Sequence, residues 1–286
     1  MNAFPAPRIR LVLADLDGTL IGGGLMLSAA DVAALNRLSE IGVSLGIATG
    51  RPLGSATQLT NQLPGLRYII PSNGGAVFDT RVQSFLHSEP GFRPETMALL
   101  ADLADRHDLL MNLYTAADWY VPRAEEGVLR EAERSGARPK VGVEWDEICE
   151  PVVMAMYMGM PEALSAAREY LRLKVQDVTP LDSHFDDHLD ISPRGVSKGV
   201  ACQKLMTHVG VTKDEVMAIG NGENDVPMFE VSGVGVALRD ASQELIKVAT
   251  HLTVSLDEGA ASVAIGGLVF GELASVHRLW RPLEHH

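Results

Sequence analysis

Residues 11–20 read LVLADLDGTL, an apolar run that ends in two aspartates followed by Gly-Thr. A short apolar run that stops at turn residues is typical of a buried parallel strand. Because strand side chains alternate with a period of two, Asp15 and Asp17 start on the same side, at the strand's end. Two carboxylates this close repel each other unless a cation lies between them or one keeps its proton. The stretch predicts a carboxylate nucleophile with an acid/base partner; a polar Asp-Gly turn without chemistry is the alternative.

The hexapeptide DLDGTL, residues 15–20, resembles the first signature of the haloacid dehalogenase superfamily, whose phosphotransferases form a phosphoaspartate. The resemblance implies that Asp15 is the nucleophile. It also implies that Asp17 protonates the leaving alcohol and then activates water. In the same family, Asp15 and the backbone carbonyl of Asp17 would bind Mg²⁺. Three further motifs are then expected along the chain.

A second polar cluster, ATGR, follows the predicted strand 43–48. Thr49 and Gly50 precede an Arg-Pro pair that suits the first turn of a helix. Backbone N–H groups at a helix start and a Thr hydroxyl can donate to phosphate oxygens, whereas a helix cap is the other reading of Thr49. The pattern resembles the superfamily's second motif, which implies that both residues bind phosphate. A third strand, 68–71, leads into SNGG at 72–75, similar to a turn of the family and equally to an ordinary hairpin turn.

The segment GVSKG, residues 195–199, opens a predicted helix. A lysine there can reach an anion bound at the strand ends, although a lone lysine is usually a solvated surface charge. The segment resembles the superfamily's third motif, which implies that Lys198 binds the phosphoryl group. Just before it, His184 and His188 lie four residues apart in a segment that alternates like a strand. Because that spacing shares a face only on a helix, we expect no metal cluster there.

Residues 216–229, VMAIGNGENDVPMF, combine an apolar strand, a polar loop flanked by glycines and a helix start. They resemble the metal-binding signature GDxxND, which implies that Asp225 binds Mg²⁺ and Asn224 binds phosphate. Asn221 stands where the signature has its first aspartate. Its amide oxygen can still bind Mg²⁺, but one negative charge is lost. We therefore expect weaker metal binding, unless Glu223 or Asp225 compensates.

The segment 85–187 carries none of these motifs and predicts a separate α+β domain. It resembles the large cap domain of the Cof-like phosphatases. The expected division is a discontinuous core, 1–84 and 188–286, with an inserted cap at 85–187. The Met-rich run MAMYMGM, residues 154–160, is expected to pack in a core, because methionine fills irregular gaps. Helices are predicted at 94–107, 125–136 and 161–173, and strands at 109–114, 119–121 and 152–158.

The resemblance covers residues 11–265, with the four motifs in family order at strand ends. It implies an α/β fold: a doubly wound, mainly parallel, Rossmann-like sheet core with an inserted α+β cap domain. In such sheets ligands bind beyond the carboxyl ends of the strands. The expected activity is Mg²⁺-dependent hydrolysis of a small phosphorylated metabolite through a phosphoaspartate.

Composition narrows the function classes. With 286 residues and a formal net charge of −13, the chain is a poor partner for nucleic acid. Cys149 and Cys202 lack disulfide or metal spacing and are expected to be buried thiols in a reducing cytoplasm. The apolar runs are too short for a membrane span, and the first residues carry no cleavage signal, so neither insertion nor export is expected. The closing LEHH looks like an expression tag, which removes His285 and His286 as ligands.

Three alternatives use the same residues. A phosphomutase would return the phosphoryl group to its substrate, and release of free phosphate distinguishes the two. A phosphometabolite-binding protein with little or no turnover is motivated by Asn221. A haloacid dehalogenase proper is disfavoured, because Asp17 and the phosphate-binding residues suit phosphate rather than halide. The sequence identifies neither the substrate nor the oligomeric state.

Overall fold

The computed structural model describes residues 9–22, 24–182, 186–272 and 281–282. Within these ranges, strands and helices alternate along most of the chain, and the strands form two sheets. The helices are α1 (Ala29–Glu40), α2 (Leu53–Ala56), α3 (Pro94–Arg106), α4 (Glu126–Ser135), α5 (Pro161–Lys174), α6 (Lys198–Val209), α7 (Val226–Glu230), α8 (Gln243–Val248) and α9 (Ala260–Leu268). The strands are β1 (Leu11–Ala14), β2 (Ser44–Ala48), β3 (Leu66–Ile70), β4 (Ala76–Asp79), β5 (Ser84–Ser88), β6 (Leu110–Tyr114), β7 (Trp119–Val121), β8 (Lys140–Val141), β9 (Met154–Met158), β10 (Val178–Asp182), β11 (His188–Pro193), β12 (Val216–Gly220), β13 (Val234–Ala237), β14 (His251–Leu252) and β15 (Arg281–Pro282).

The larger sheet has the strand order β15-β14-β13-β12-β1-β2-β3-β4-β5. The strands from β14 to β3 along this order are parallel, while β15, β4 and β5 add antiparallel edges. The chain builds outward from β1 in both directions, so right-handed crossovers place helices on both faces of the sheet. The predicted doubly wound α/β core is confirmed.

The central strand β1 is buried along its whole length between β2 and β12. Both faces of a doubly wound sheet are covered, which is why this strand is apolar throughout rather than alternating. Helix α1, which follows it, begins where the sequence predicts, because the Ser28 hydroxyl accepts from the Asp31 backbone N–H at 3.0 Å. The carboxyl ends of β1, β2 and β12 therefore meet at one edge.

The smaller sheet has the order β10-β11-β9-β6-β7-β8 and belongs to the inserted cap. Along β9, Ala155 and Tyr157 pack with apolar residues of α3 and α5. The alternate residues Met154, Met156 and Met158 join the apolar cluster on the opposite face. The expected burial of the Met-rich run is confirmed for Met154–Met158, all of which are buried, but Met160 at the end of the run is exposed.

The boundary between core and cap follows from sheet membership. Strand β5 pairs with β4 in the larger sheet, and β11 pairs with β9 and β10 in the smaller one. We therefore propose domain boundaries at about residues 89 and 194, rather than at 84/85 and 187/188. The sequence pattern cannot locate these boundaries, because the pattern of a strand does not reveal which sheet the strand joins.

Some local features differ from expectation. The sequence pattern predicts no strands at β4 or β10. Strand β4 follows a Gly-rich turn, and β10 contains Pro180, which an edge strand accommodates. Cys202 is buried as expected, but Cys149 is exposed, and both thiols are free. In the described part of the chain, no helix has the length and apolar character needed to cross a bilayer.

Candidate active site

A cavity of about 290 Å³ lies at the strand ends, between the core and the cap. Residues of the first, second and fourth sequence motifs line it, and Lys198 of the third motif is buried beside it. Asp15, Asp17, Gly50, Asn221 and Asn224 line this cavity. The other predicted residues, Thr49, Lys198 and Asp225, are buried beside it.

Lys198 joins two carboxylates at the base of the site. Its Nζ donates to Asp15 Oδ1 at 2.6 Å and to Asp225 Oδ1 at 2.7 Å, and all three side chains are buried. Burial, and then the charge of Asp225, raise the pKa of Asp15 to about 7, although Lys198 counteracts them. Burial lowers the pKa of Lys198, but the two carboxylates outweigh it, so the pKa lies above its ordinary value. Lys198 is therefore a cation that balances Asp15.

Asp225 also holds the loop after β12. Its Oδ2 accepts from the backbone N–H groups of Asn221 and Gly222, each at 3.0 Å. A Cβ at Gly220 would lie 2.5 Å from that oxygen, so only glycine fits beneath the carboxylate. In this arrangement both oxygens of Asp225 are engaged, and the residue positions Lys198 and Asn221.

Thr19 lies between Asp15 and Asn221. Its hydroxyl is 2.9 Å from Asp15 Oδ2 and 3.0 Å from Asn221 Oδ1. A carboxylate oxygen and an amide oxygen therefore converge on one point. The hydroxyl has a single hydrogen and cannot donate fully to both of them. Hard oxygen donors of this kind fit Mg²⁺. In the ranges that the structure describes, no group of three or more His, Cys, Asp or Glu side chains could hold a metal ion. The oxygen pair at Thr19 is of a different kind, because one of its two oxygens belongs to the Asn221 amide.

Asp17 is held by two arginines that the sequence analysis did not single out. Arg51 donates to it through Nε at 2.8 Å and Nη2 at 2.7 Å, and Arg134 donates through Nη1 at 3.2 Å. Burial raises the pKa of Asp17, but the hydrogen bonds and charge of Arg51, with Arg134, lower it below its ordinary value. Arg134 comes from the cap helix α4, where Glu131 accepts two of its N–H groups at 2.7 Å.

Thr49 contributes to the turn after β2. Its Oγ1 accepts from the Arg51 backbone N–H at 3.1 Å, which is a cap-type contact. Gly50 lines the cavity, where an added Cβ would lie 3.4 Å from both Asn73 and Asp190. The contacts within the described chain thus match the capping alternative for Thr49, and its phosphate role stays a prediction.

The cap is docked on the core through the end of α4. Ser55 Oγ donates to the Ser135 carbonyl at 2.5 Å, and Gln58 Nε2 donates to the Gly136 carbonyl at 2.7 Å. The last carbonyls of a helix have no partner within the helix. Gly136 ends α4 in the left-handed region at φ 67°, and core side chains satisfy the carbonyls around it.

Seven of the described cap residues line the cavity. Glu131 and Arg134 come from α4, and the other five come from the cap sheet; we call these five the cap wall: Tyr114, Met154, Met156, His188 and Asp190. Burial raises the pKa of Asp190 to about 7, against a hydrogen bond from Asn73 that lowers it. Burial lowers the pKa of His188 to about 4, against Asp187, which raises it. His184, like His285 and His286, lies outside the described residues.

A hydrogen-bonded chain links the cap wall to the fourth motif. Asn224 Nδ2 donates to Asn73 Oδ1 at 3.1 Å, and Asn73 Nδ2 donates to Asp190 Oδ2 at 2.8 Å. Asn73 belongs to the SNGG turn and has φ 53°, a left-handed conformation that Asn tolerates. The turn that the sequence left open between two readings therefore carries a side chain that hydrogen-bonds to two residues of the cavity lining.

Comparison with known proteins is consistent with this architecture. A family model described as haloacid dehalogenase-like hydrolase matches residues 12–265. The chain is 28% identical over 253 residues to HMP-PP phosphatase of Cronobacter sakazakii, covering 86% of this chain and 89% of that protein. It is 27% identical over 289 residues to a protein of Arabidopsis thaliana named Endoribonuclease YBEY, chloroplastic; that match covers 91% of this chain but only 46% of the longer protein, so the chain spans about half its length. A crystal structure of a haloacid dehalogenase-like hydrolase from Bacteroides thetaiotaomicron superposes with a TM-score of 0.80 at 26% identity, covering 90% of this chain and 98% of that one.

Proposed function

This chain belongs to the haloacid dehalogenase-like hydrolase family, and from its site we propose that it is a phosphatase of a small phosphorylated metabolite. The observation that carries the proposal is the buried contact between Asp15 and Lys198, at the edge of a cavity. A carboxylate beside a fixed cation can attack phosphorus while the cation offsets the charge that accumulates. Similarity to HMP-PP phosphatase supports the reaction class.

In the proposed reaction, an oxygen of Asp15 forms a bond to phosphorus as the bond to the leaving oxygen breaks. Asp17 supplies a proton to that oxygen, which leaves as an alcohol. Asp17 then takes a proton from water as the water oxygen attacks the phosphoaspartate, and phosphate departs from Asp15. Lys198 and the N–H groups after β2 stabilise the phosphoryl oxygens.

The remaining predicted contacts follow the same scheme. Thr49, Gly50 and Asn224 would bind the phosphoryl oxygens. Mg²⁺, when bound, offsets negative charge on the phosphoryl group. Asp15, the backbone carbonyl of Asp17 and Asn221 would hold the metal, with Asp225 placing the loop that carries Asn221 and serving as a further candidate ligand. We also propose a cytoplasmic location, in keeping with the two free thiols.

Asp17 has to change its contacts during the proposed cycle. Its ion pairs with Arg51 and Arg134 keep it ionised, whereas the first step needs a protonated acid. The incoming phosphoryl group is itself an acceptor for guanidinium groups. Substrate binding would therefore draw an arginine away from Asp17 and favour its protonation.

A phosphometabolite-binding protein with little turnover is the second candidate, and Asn221 favours it. Replacing a metal-binding carboxylate by an amide removes one negative charge from the site. Phosphate release from a panel of sugar phosphates and related esters, with and without Mg²⁺, separates the two functions.

The nucleophile is tested by Asp15→Asn. We expect loss of at least about a thousandfold in phosphate release, because the attacking oxygen is lost while side-chain size is kept. The matched control is Asp240→Asn, at the cavity rim, which should release phosphate at the wild-type rate. Turnover retained by Asp15→Asn would exclude the phosphoaspartate route.

A further inference from the structure

Three side chains of the cap wall, Tyr114, Met154 and Met156, offer an apolar surface to whatever is attached to the phosphate. Tyr114 pairs with Met154 across β6 and β9, and Met156 pairs with Asp190 across β9 and β11. The Tyr114 ring is fixed by stacking on Trp119, with centroids 6.0 Å apart and planes 15° apart. Such a surface suits the C–H face of a carbon chain or ring.

Beside these apolar side chains, Asp190 supplies a carboxylate at a fixed place. It is half-buried, and Asn73 donates to one of its oxygens at 2.8 Å. Because Asn73 also accepts from Asn224, Asp190 is tied to the loop that carries the fourth motif. The carboxylate is therefore held at a set distance from the phosphate end of the cavity, and can accept hydrogen bonds from a hydroxyl.

The positive charges that line the cavity are already committed. Arg134 is paired with Glu131, and both Arg51 and Arg134 are paired with Asp17. His188 is neutral near pH 7, since burial lowers its pKa to about 4. Among the described lining residues, a second anionic group would therefore meet Asp190 and Glu131 without a spare cation.

We infer that Asp190 sets the charge selectivity of the leaving-group subsite at the cap wall: it accepts a hydroxyl of an uncharged polyol and rejects a second anionic group. This inference rests on the proposed function, because it assumes that the phosphate lies at Asp15. Specificity of this kind combines an attractive element, hydroxyl donation to Asp190, with a repulsive one.

The matched probes are glucitol 6-phosphate and gluconate 6-phosphate, which differ in a terminal CH₂OH against a carboxylate. We expect the wild type to prefer glucitol 6-phosphate in kcat/KM on the order of tenfold, from repulsion between like charges in a partly buried site. Asp190→Asn should bring the preference close to one, mainly by improving gluconate 6-phosphate. Asp240→Asn removes an acid of the same type from the opposite, core side of the cavity and should keep the preference.

A measurement on the unmodified protein gives a second test. Burial raises the pKa of Asp190 to about 7, so the side chain is mostly neutral at pH 6 and anionic at pH 8. The titratable groups that face it are Glu131 and Arg134 from α4, Lys198 from α6 and the neutral His188 on its own strand. We expect the preference for glucitol 6-phosphate to rise from pH 6 to pH 8, and Asp190→Asn to abolish the rise. Effects on the reacting groups are common to both probes and cancel in the ratio.

Binding to Asp15→Asn, measured by calorimetry with the same two phosphates, separates this inference from the proposed function. A binding preference without turnover in the wild type would leave the subsite standing and remove the phosphatase. Turnover of both probes with equal kcat/KM and equal affinity would overturn the subsite while keeping the phosphatase. Equal loss of preference in Asp190→Asn and Asp240→Asn would also overturn it, because the discrimination would then come from the net charge of the cavity.

Discussion

Asn221 sets how much negative charge faces a cation in the proposed metal site. Its Oδ1 and Asp15 Oδ2 both lie within 3.0 Å of the Thr19 hydroxyl. Asn221→Asp should lower the half-saturating Mg²⁺ concentration by about tenfold, because about 1.4 kcal/mol of attraction is recovered in a partly solvated site. Mg²⁺ titration of phosphate release, and calorimetry without substrate, measure this change.

The control for this substitution is Asn61→Asp, which adds the same charge at an exposed position of the core. It should leave the Mg²⁺ dependence unchanged. If Asn221→Asp also leaves it unchanged, position 221 is outside the metal shell and Asp225 becomes the first candidate. Tighter Mg²⁺ binding without any turnover would favour the binding-protein alternative.

His188 makes stability depend on pH. Burial lowers its pKa to about 4 from an ordinary value of 6.5, so between these values the unfolded chain binds a proton that the folded chain does not. The free energy of unfolding should therefore fall as pH falls from about 6.5 to about 4, by up to about 3 kcal/mol. His188→Gln should flatten this fall in urea unfolding at a series of pH values. Asp190, whose pKa is raised, changes the free energy of unfolding with pH in the opposite direction, and does so equally in the wild type and in His188→Gln. Identical pH profiles of the two proteins would therefore contradict the assignment to His188.

The contact between α4 and the segment around α2 joins the cap to the core at the scale of elements. Ser55 and Gln58 donate to carbonyls at the end of α4, and the same helix carries Arg134 to Asp17. Removing both donors with Ser55→Ala and Gln58→Ala should weaken docking by about 1 kcal/mol for each hydrogen bond. We expect faster hydrogen exchange in α4 and a higher KM with a smaller effect on kcat.

Thr57→Ala is the control for the docking contact, because the Thr57 hydroxyl donates at 3.4 Å within its own segment, to the Gly54 carbonyl. It should leave exchange in α4 as in the wild type. If the double substitution leaves both exchange and KM unchanged, other contacts hold the cap in place.

The two halves of the molecule have separate apolar cores. The buried cluster under the larger sheet draws on residues 9–78 and 201–265, and the cap clusters draw on residues 97–191. The chain leaves and re-enters the core at one place: the Glu89 backbone N–H donates to the Gly75 carbonyl at 2.9 Å, and Gly74 lies directly against the Ser197 carbonyl. A short linker can therefore replace the cap without crossing the core.

Excision of about residues 90–193 with a Gly-Ser linker should leave a core that unfolds cooperatively, because its apolar cluster is retained. We expect slow, Mg²⁺-dependent hydrolysis of an aryl phosphate and no preference between glucitol 6-phosphate and gluconate 6-phosphate, since Asp190 is removed. Circular dichroism on heating and phosphate release measure the two outcomes. A folded core that keeps the preference would place specificity outside the cap.

The sequence by itself determined the fold class and the positions of most elements. Apolar runs that stop at turn residues, and a cap residue such as Ser28, are local signals that act over a few neighbouring residues. The first, second and fourth motifs follow the parallel strands β1, β2 and β12, whose carboxyl ends meet at one edge, so the location of the candidate site also followed. The contact of Lys198 with Asp15 is the geometry expected of that arrangement.

Only the tertiary structure decided which charges meet at the site. Arg51 and Arg134 reach Asp17 from 34 and 117 residues away, and Asn73 reaches Asp190 across 117 residues, from core to cap. No short sequence pattern distinguishes these side chains from solvated ones, because a buried arginine and a surface arginine can have the same kinds of neighbours along the chain. Their partners depend on how the cap sheet and α4 dock against the core, and that docking is set by packing between distant segments rather than by any short pattern.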